Sequence, residues 1–220
     1  MYSINEKKSY TQTFGSKSNI IAISGIIGVG KSTLAKNLGK FLEIDVYHEP
    51  VETNEYLEKF YQDMKRYSFP MQIYLLNHRF RQHQQMVWSN KSLIQDRSIY
   101  EDVIFAKMLT ESGMMDTLDF LTYCLLFENM TNFLHRPDII IYLDVKPEIA
   151  LERVIKRSRG CEQKITLEYL KDLKKGYEDW LKDISNRITV IKINWDNFGN
   201  TEDVAEHIKK AISSKKGLII

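Results

Sequence analysis

The chain has 220 residues, of which 43% are hydrophobic and 27% charged, with a formal net charge of +2. That length suits one well-buried α/β domain rather than two, and a near-neutral balance with no basic block speaks against a nucleic-acid polymer as partner. No apolar run approaches membrane-spanning length, and the two cysteines, Cys124 and Cys161, fit neither a disulfide framework nor a zinc site, which suits a reducing, cytoplasmic setting.

Residues 1–18 are polar and hydroxyl-rich and read as a flexible tail, ahead of a single domain over 19–213 and a short tail over 214–220. Asn19-Ile-Ile-Ala-Ile-Ser24 is an apolar run of strand type. It leads into Gly25, Ile26, Ile27, Gly28, Val29, Gly30, Lys31, Ser32 and Thr33, a complete GxxxxGK[ST] phosphate loop. Leu34, Leu38 and Phe41/Leu42 follow at helical spacing. Strand, glycine loop and helix start in this order form an anion trap. Glycines let backbone N–H groups converge on phosphate oxygens, and the helix N-terminus adds the positive end of its dipole. Lys31 can then reach the outer phosphates of a nucleotide, and the Ser32 hydroxyl can ligate magnesium.

Four more strands are expected at Ile44–His48, Ser92–Asp96, Asp138–Asp144 and Thr189–Ile193. Between and after them the spacing predicts helices over Tyr56–Lys65, Met71–Trp88, Tyr100–Leu109, Leu118–Leu134, Pro147–Lys156, Leu167–Ile184 and Glu202–Ala211. The alternation implies an α/β fold: a five-stranded parallel sheet flanked by helices. In such sheets ligands sit beyond the carboxyl ends of the strands, so the residues just past each strand matter most.

Past the second strand stands Glu49, held extended by Pro50, where its carboxylate could accept the proton of an attacking hydroxyl. Past the third come Asp96, Arg97 and Ser98. Asp96 sits where phosphate-loop proteins hold magnesium, and Arg97 could neutralise a phosphoryl group in flight. Alternatively, Asp96 pairs with Arg97 or caps the next helix. Past the fourth strand, Asp144 reads as a strand-end residue. The helix that follows carries Arg153 and Arg157 on one face, followed by Arg159, Cys161 and Glu162. Three arginines beside a phosphate loop suggest an Arg-rich lid over a nucleotide tail, with a solvated helix end as the plain alternative.

Taken together these motifs resemble the deoxyribonucleoside kinase family: the phosphate loop, Glu49-Pro-Val, an acidic-Arg-Ser run, and an Arg-x-x-x-Arg-x-Arg-x-x-Glu lid. They occur in the family's order over roughly Ile20 to Ile212. The resemblance implies a phosphate-loop kinase that uses ATP and Mg2+ to phosphorylate the 5′-hydroxyl of a small-molecule deoxynucleoside. It implies Glu49 as the base, Arg97 beside it, Lys31 and the lid arginines 153, 157 and 159 on the donor phosphates, and Ser32 and Asp96 on the metal. Asp96 stands where the family usually has Glu, and either it or Glu49 could be assigned the proton; Glu49 is preferred. Tyr61 and Glu162 would hold the sugar's 3′-hydroxyl, Gln72 would read the base edge and Phe105 would stack on it. A homodimer through the two long helices after Ser98, and inhibition by an end-product triphosphate, are also implied.

Arg79 and Asp102 resemble a pair found in the deoxycytidine and purine branches of the family. The compact insert from Glu52 to Tyr61, with Asn54 within it, is more like bacterial-type deoxyadenosine and deoxyguanosine kinases. A purine deoxynucleoside is therefore the expected substrate, adenine and guanine standing level and cytosine third. Cys161 replaces a frequent acid in the lid, and Met71 a frequent aromatic beside the base. Thymidylate kinase is the nearest enzyme alternative, but Val51-Glu52-Thr53 replaces its Gly-Gly-Thr, and Glu52 would repel a monophosphate. A non-catalytic member of the fold and a GTPase switch are weaker alternatives, given intact Lys31, Glu49, Asp96 and Arg97 and no Asn-Lys-x-Asp run.

Overall fold

In the computed structural model, which describes residues 18–48, 54–157 and 160–216, the apolar runs become five strands. These are β1 Ile20–Ser24, β2 Asp45–Tyr47, β3 Leu93–Asp96, β4 Ile139–Asp144 and β5 Thr189–Asn194. All pair in parallel, in the order β2-β3-β1-β4-β5. The three central strands are buried along nearly their whole length, while the edge strands are only partly covered. Continuous Ile/Leu runs, rather than alternation, are what a sheet covered on both faces requires.

The covering helices are α1 Lys31–Leu42, α2 Leu57–Gln62, α3 Met64–Ser89, α4 Asp102–Glu111, α5 Thr117–Thr131, α6 Pro147–Arg157, α7 Leu167–Ile184 and α8 Thr201–Lys216. Because β1 lies between β3 and β4, the loop leaving β1 emerges at the reversal of strand order, beside the turn that leaves β3. Among the described residues no helix is long and apolar enough to cross a membrane.

Three differences from the expected element boundaries have a clear physical cause. Pro70 separates two predicted helices in the sequence, yet α3 runs through it from an Asp63 cap whose carboxylate accepts from the Arg66 N–H. Proline removes one donor, but burial of Met71, Gln72, Leu76 and Arg79 along one face holds the helix across the defect. The helix expected to start at Tyr100 begins instead as a 3-10 turn, Ile99–Glu101, before α4. At the other end, α8 continues through Lys216, so residues 214–216, expected as tail, are helical. Buried Val204, Ala205, Ile208 and Ile212 seat that helix, which packs on α1. Residues 1–17 and 217–220, the rest of the expected tails, lie outside the described residues.

α1 approaches β2 closely at Gly39, where a Cβ would stand 2.2 Å from Val46 Cγ2 and 3.1 Å from the Ile44 carbonyl oxygen. In an open helix Gly→Ala stabilises by about 0.5–1 kcal/mol. Here Gly39→Ala is expected to destabilise by about 2 kcal/mol, as overpacking does, lowering Tm by roughly 4–8 °C. Calorimetry checks this, and an unchanged or higher Tm contradicts the close approach.

Candidate active site

The phosphate loop joins β1 to α1. Gly30, at φ 101°, caps α1 without a side-chain bond, and the first turn contains no acidic residue. The leading N–H groups and the positive dipole end are therefore open to an anion. Gly28, at φ 84°, could not be replaced: a Cβ there would meet the Ala150 carbonyl oxygen at 2.4 Å and Val154 at 2.7 Å. α6 thus presses directly against the loop. Arg153 completes this support, donating to the carbonyls of Val29 (3.2 Å), Trp195 (2.9 Å) and Asp196 (2.8 Å), with its guanidinium 4.0 Å from the Phe198 ring centroid. Expected in the lid, Arg153 lines the cleft but acts as a strut between α6, the phosphate loop and the segment after β5. Lys31 is buried and donates to the Gly25 and Ile26 carbonyls at 2.9 Å each, which curls the loop around its ammonium.

Arg97 enters from the turn after β3. Its backbone is left-handed, φ 68°, a costly state for a residue with a side chain. Nη2 donates to the Gly25 carbonyl (3.4 Å), Nη1 to the Tyr177 hydroxyl (2.5 Å) and, longer, to Glu101 Oε2 (3.5 Å). The guanidinium lies 4.7 Å from the Phe105 ring centroid. Glu101, wholly buried, accepts from Ser24 Oγ and the Ser98 N–H, each at 2.8 Å, and from the Tyr177 hydroxyl. Burial, which outweighs the opposing charge of Arg97, holds the Tyr177 phenol well above its usual range, so it stays a neutral donor.

Between these groups opens a cleft of about 340 Å³, in the usual size range of small-ligand sites. Gly28, Lys31, Ser32 and Thr33 form its phosphate end; Tyr61, Gln72, Arg79 and Phe105 line its other wall. Arg157 and Glu162, paired to each other, close over it. Arg79 is buried and ion-paired with Asp102, which stands behind it rather than on the cleft surface. Burial drives the Asp102 carboxyl up from its ordinary 3.8 to about 6, against the pull of the Arg79 charge and hydrogen bond. Asp144 is held by Lys174 and Lys192 at 2.9 Å each, as a strand-end residue.

The structure thus gathers Lys31, Ser32, Tyr61, Gln72, Arg79, Arg97, Phe105, Arg153, Arg157 and Glu162 at one cleft. Glu49 and Arg159 lie outside the described residues, as does the rest of the Glu49–Thr53 segment. Ile26 and Val29 put their side chains into the core and offer only backbone to a ligand. Asp96 is 1% exposed, and among the described residues neither of its carboxylate oxygens has a hydrogen-bond partner. It neither pairs with Arg97 nor caps the next element: Ser98 is that N-cap residue, and its backbone N–H donates to Glu101 Oε1. Sequence reasoning misses Glu101 and Tyr177 behind Arg97, and Tyr169 and Phe198 on the cleft wall. Ser98-x-x-Glu101 is a legible capping-box signal, and Phe198 lies just past a strand end. Nothing local points to Tyr169 or Tyr177.

Residues 21–216 match the family described as deoxynucleoside kinase. A deoxyadenosine kinase of Dictyostelium discoideum is 53% identical over 89% of this chain and 80% of its own length. A deoxyadenosine/deoxycytidine kinase of Bacillus subtilis (strain 168) is 40% identical over 90% of this chain and 93% of its own. Among solved structures, M. mycoides deoxyadenosine kinase with bound dATP superposes with a TM-score of 0.79 at 33% identity, covering 86% of this chain and 98% of the other.

Asp102 binds its proton more tightly in the folded chain, at about 6 against 3.8, so its contribution to stability is fully present below about pH 4 and is lost as pH rises through about 6. The two-unit gap corresponds to on the order of 3 kcal/mol. Urea midpoints of wild type and Asp102→Asn across pH 4–7 are expected to differ by a falling curve over that window. A pH-independent difference contradicts the assignment.

Proposed function

The chain belongs to the deoxynucleoside kinase family, and on that premise we propose that it transfers the γ-phosphoryl group of ATP to the 5′-hydroxyl of a purine deoxynucleoside, deoxyadenosine foremost. The observation that carries this reading is one cleft with a backbone phosphate cradle at one end and Gln72 with the Arg79–Asp102 pair at the other. The Gln72 amide offers a donor and an acceptor, and Arg79 offers donors fixed by a carboxylate. An adenine edge, with a ring-nitrogen acceptor beside an exocyclic amine, suits that set. Thymine presents a carbonyl in place of the amine and would leave a polar group of the site unmatched. The names of the relatives at 53% and 40% identity favour adenine over guanine, with cytosine as the second reading.

In this reaction Arg97, held against Phe105 and Gly25, neutralises charge developing between donor and acceptor, while Lys31 and Arg157 spread it on the donor side. Tyr61 and Glu162 hold the sugar, and Glu49 takes the hydroxyl proton. Asp96 and Ser32 are the residues that would hold magnesium. A buried carboxylate whose two oxygens have no partner among the described residues, and an exposed hydroxyl at the start of α1, fit a hard, oxygen-seeking cation. When bound, magnesium offsets the charge of the donor phosphates. A cytoplasmic setting belongs to the same proposal, supported by a cysteine content without a disulfide pattern.

A homodimer through α4 and α5 is also proposed. Leu118, Leu121 and Leu125 stand 75%, 54% and 64% exposed at helical spacing on α5, an apolar stripe that a second copy would cover. Leu121→Glu with Leu125→Glu is expected to halve the mass in sedimentation; an unchanged mass contradicts this interface.

With ATP and each natural deoxynucleoside, kcat/KM is expected to be highest for deoxyadenosine and about 100-fold lower or more for thymidine. A thymidine preference overturns the reading. Arg97→Ala is expected to lower kcat by about 10²–10³-fold, as losing one preorganised donor does; an undiminished kcat removes Arg97 from the chemistry.

A further inference from the structure

We propose that Glu101, acting through Tyr177, is a positioning residue for phosphoryl transfer: it sets the guanidinium of Arg97. The inference rests on the kinase reading and extends it to residues that touch no substrate. Neither Glu101 nor Tyr177 lines the cleft, and both are fully buried.

The capping box explains only half of this carboxylate. Oε1 accepts from the Ser98 N–H three residues back, which is local, and from Ser24 Oγ at the end of β1. Oε2 faces the other way and takes the Tyr177 hydroxyl from α7 and, more distantly, Arg97 Nη1 at 3.5 Å. The shorter link to Arg97 passes through tyrosine, whose oxygen accepts from Nη1 at 2.5 Å while its proton goes to Glu101. A plain cap needs no partner on α7, and no strand-end serine.

Arg97 needs this support for two reasons. Its left-handed backbone persists only where surrounding structure over-determines it. Its long side chain must also be fixed within a fraction of an ångström to stabilise a transient charge. The Ser24 contact adds a second effect. Ser24 directly precedes Gly25, whose carbonyl accepts from both Lys31 (2.9 Å) and Arg97 (3.4 Å). One carboxylate therefore references the cation at the donor phosphates and the cation at the transferring group to the same point of β1.

The test is Tyr177→Phe and Glu101→Gln, each with kcat, both KM values and Tm, alone and in an Arg97→Lys background. Tyr177→Phe, which keeps the ring packing, is expected to fold with little change in Tm, to lower kcat at least about fivefold, and to leave both KM values within about threefold. Glu101→Gln is expected to lower kcat about 100-fold. In the Arg97→Lys background Tyr177→Phe should cost less than about twofold more, because residues acting through one another are not additive. A smaller loss for Tyr177→Phe alone, or the same loss with and without Arg97, overturns the proposal; if Glu101→Gln fails to fold, Tyr177→Phe decides by itself. A wild type that phosphorylates no deoxynucleoside overturns the kinase reading and this proposal together. An active wild type indifferent to Tyr177→Phe overturns this proposal alone.

Discussion

A guanidinium carried into the interior at a strand end must be matched by an anion, and the matching must be complete. Arg97 and Glu101 are both nearly inaccessible to solvent, and removing either would strand a buried charge at a cost of about 3–5 kcal/mol. Further hydrogen bonds to the pair come from Ser24, Ser98, Tyr177 and the Gly25 carbonyl. Those partners come from β1, the turn after β3, the phosphate loop and α7. The electrostatic demand of one buried pair therefore fixes the mutual placement of four segments. The sheet order makes this feasible, because with β3 beside β1 the two turns that carry Ser24 and Arg97 leave the sheet side by side.

The phosphate end and the base end of the cleft are built from different materials. At the phosphate-loop end, backbone N–H groups, glycines and a helix terminus face the cleft, and Arg153 stiffens them by occupying three carbonyls. This chemistry needs a strict local sequence. At the other end, side chains from α3 and α4 meet behind the cleft wall, with Arg79 and Asp102 twenty-three residues apart. That chemistry needs a fold, and its local sequence is free to vary.

The contrast explains how much could be read beforehand. The phosphate loop and five strand cores are written in contiguous residues, and α7 shows its limits, Leu167–Ile184, through amphipathic spacing alone. Pro70 misleads because a local rule was set against a buried face that only tertiary packing supplies. Gln72, Arg79, Phe105 and Glu162 carry no local signature of binding; family resemblance selected them, and the fold gathers them at one cleft. Arg153 and Arg157 share a helix face by spacing, yet one is absorbed by carbonyls and the other faces Glu162. The difference arises from what lies opposite each, which spacing does not encode. Glu101 is visible in the sequence only as a cap, since its other partners, Ser24 and Tyr177, stand 77 and 76 residues away.

The same division bears on specificity. Relatives named for adenine, guanine and cytosine deoxynucleosides align over most of this chain, so base choice cannot reside in the sheet, the cradle or the topology. It must lie in a few side chains whose replacement leaves the fold intact. The proposed pair, Arg79 and Asp102, is costly in solvation, since burial lifts the Asp102 carboxyl to about 6 even against the pull of the Arg79 charge. An apolar pair would pack there at lower cost. A charged pair retained in a buried wall suits the proposed role of orienting a ligand, and it sits at the end of the cleft away from the phosphate loop. The fold therefore sets two costly buried ion pairs, Arg97–Glu101 and Arg79–Asp102, behind the two ends of one cleft.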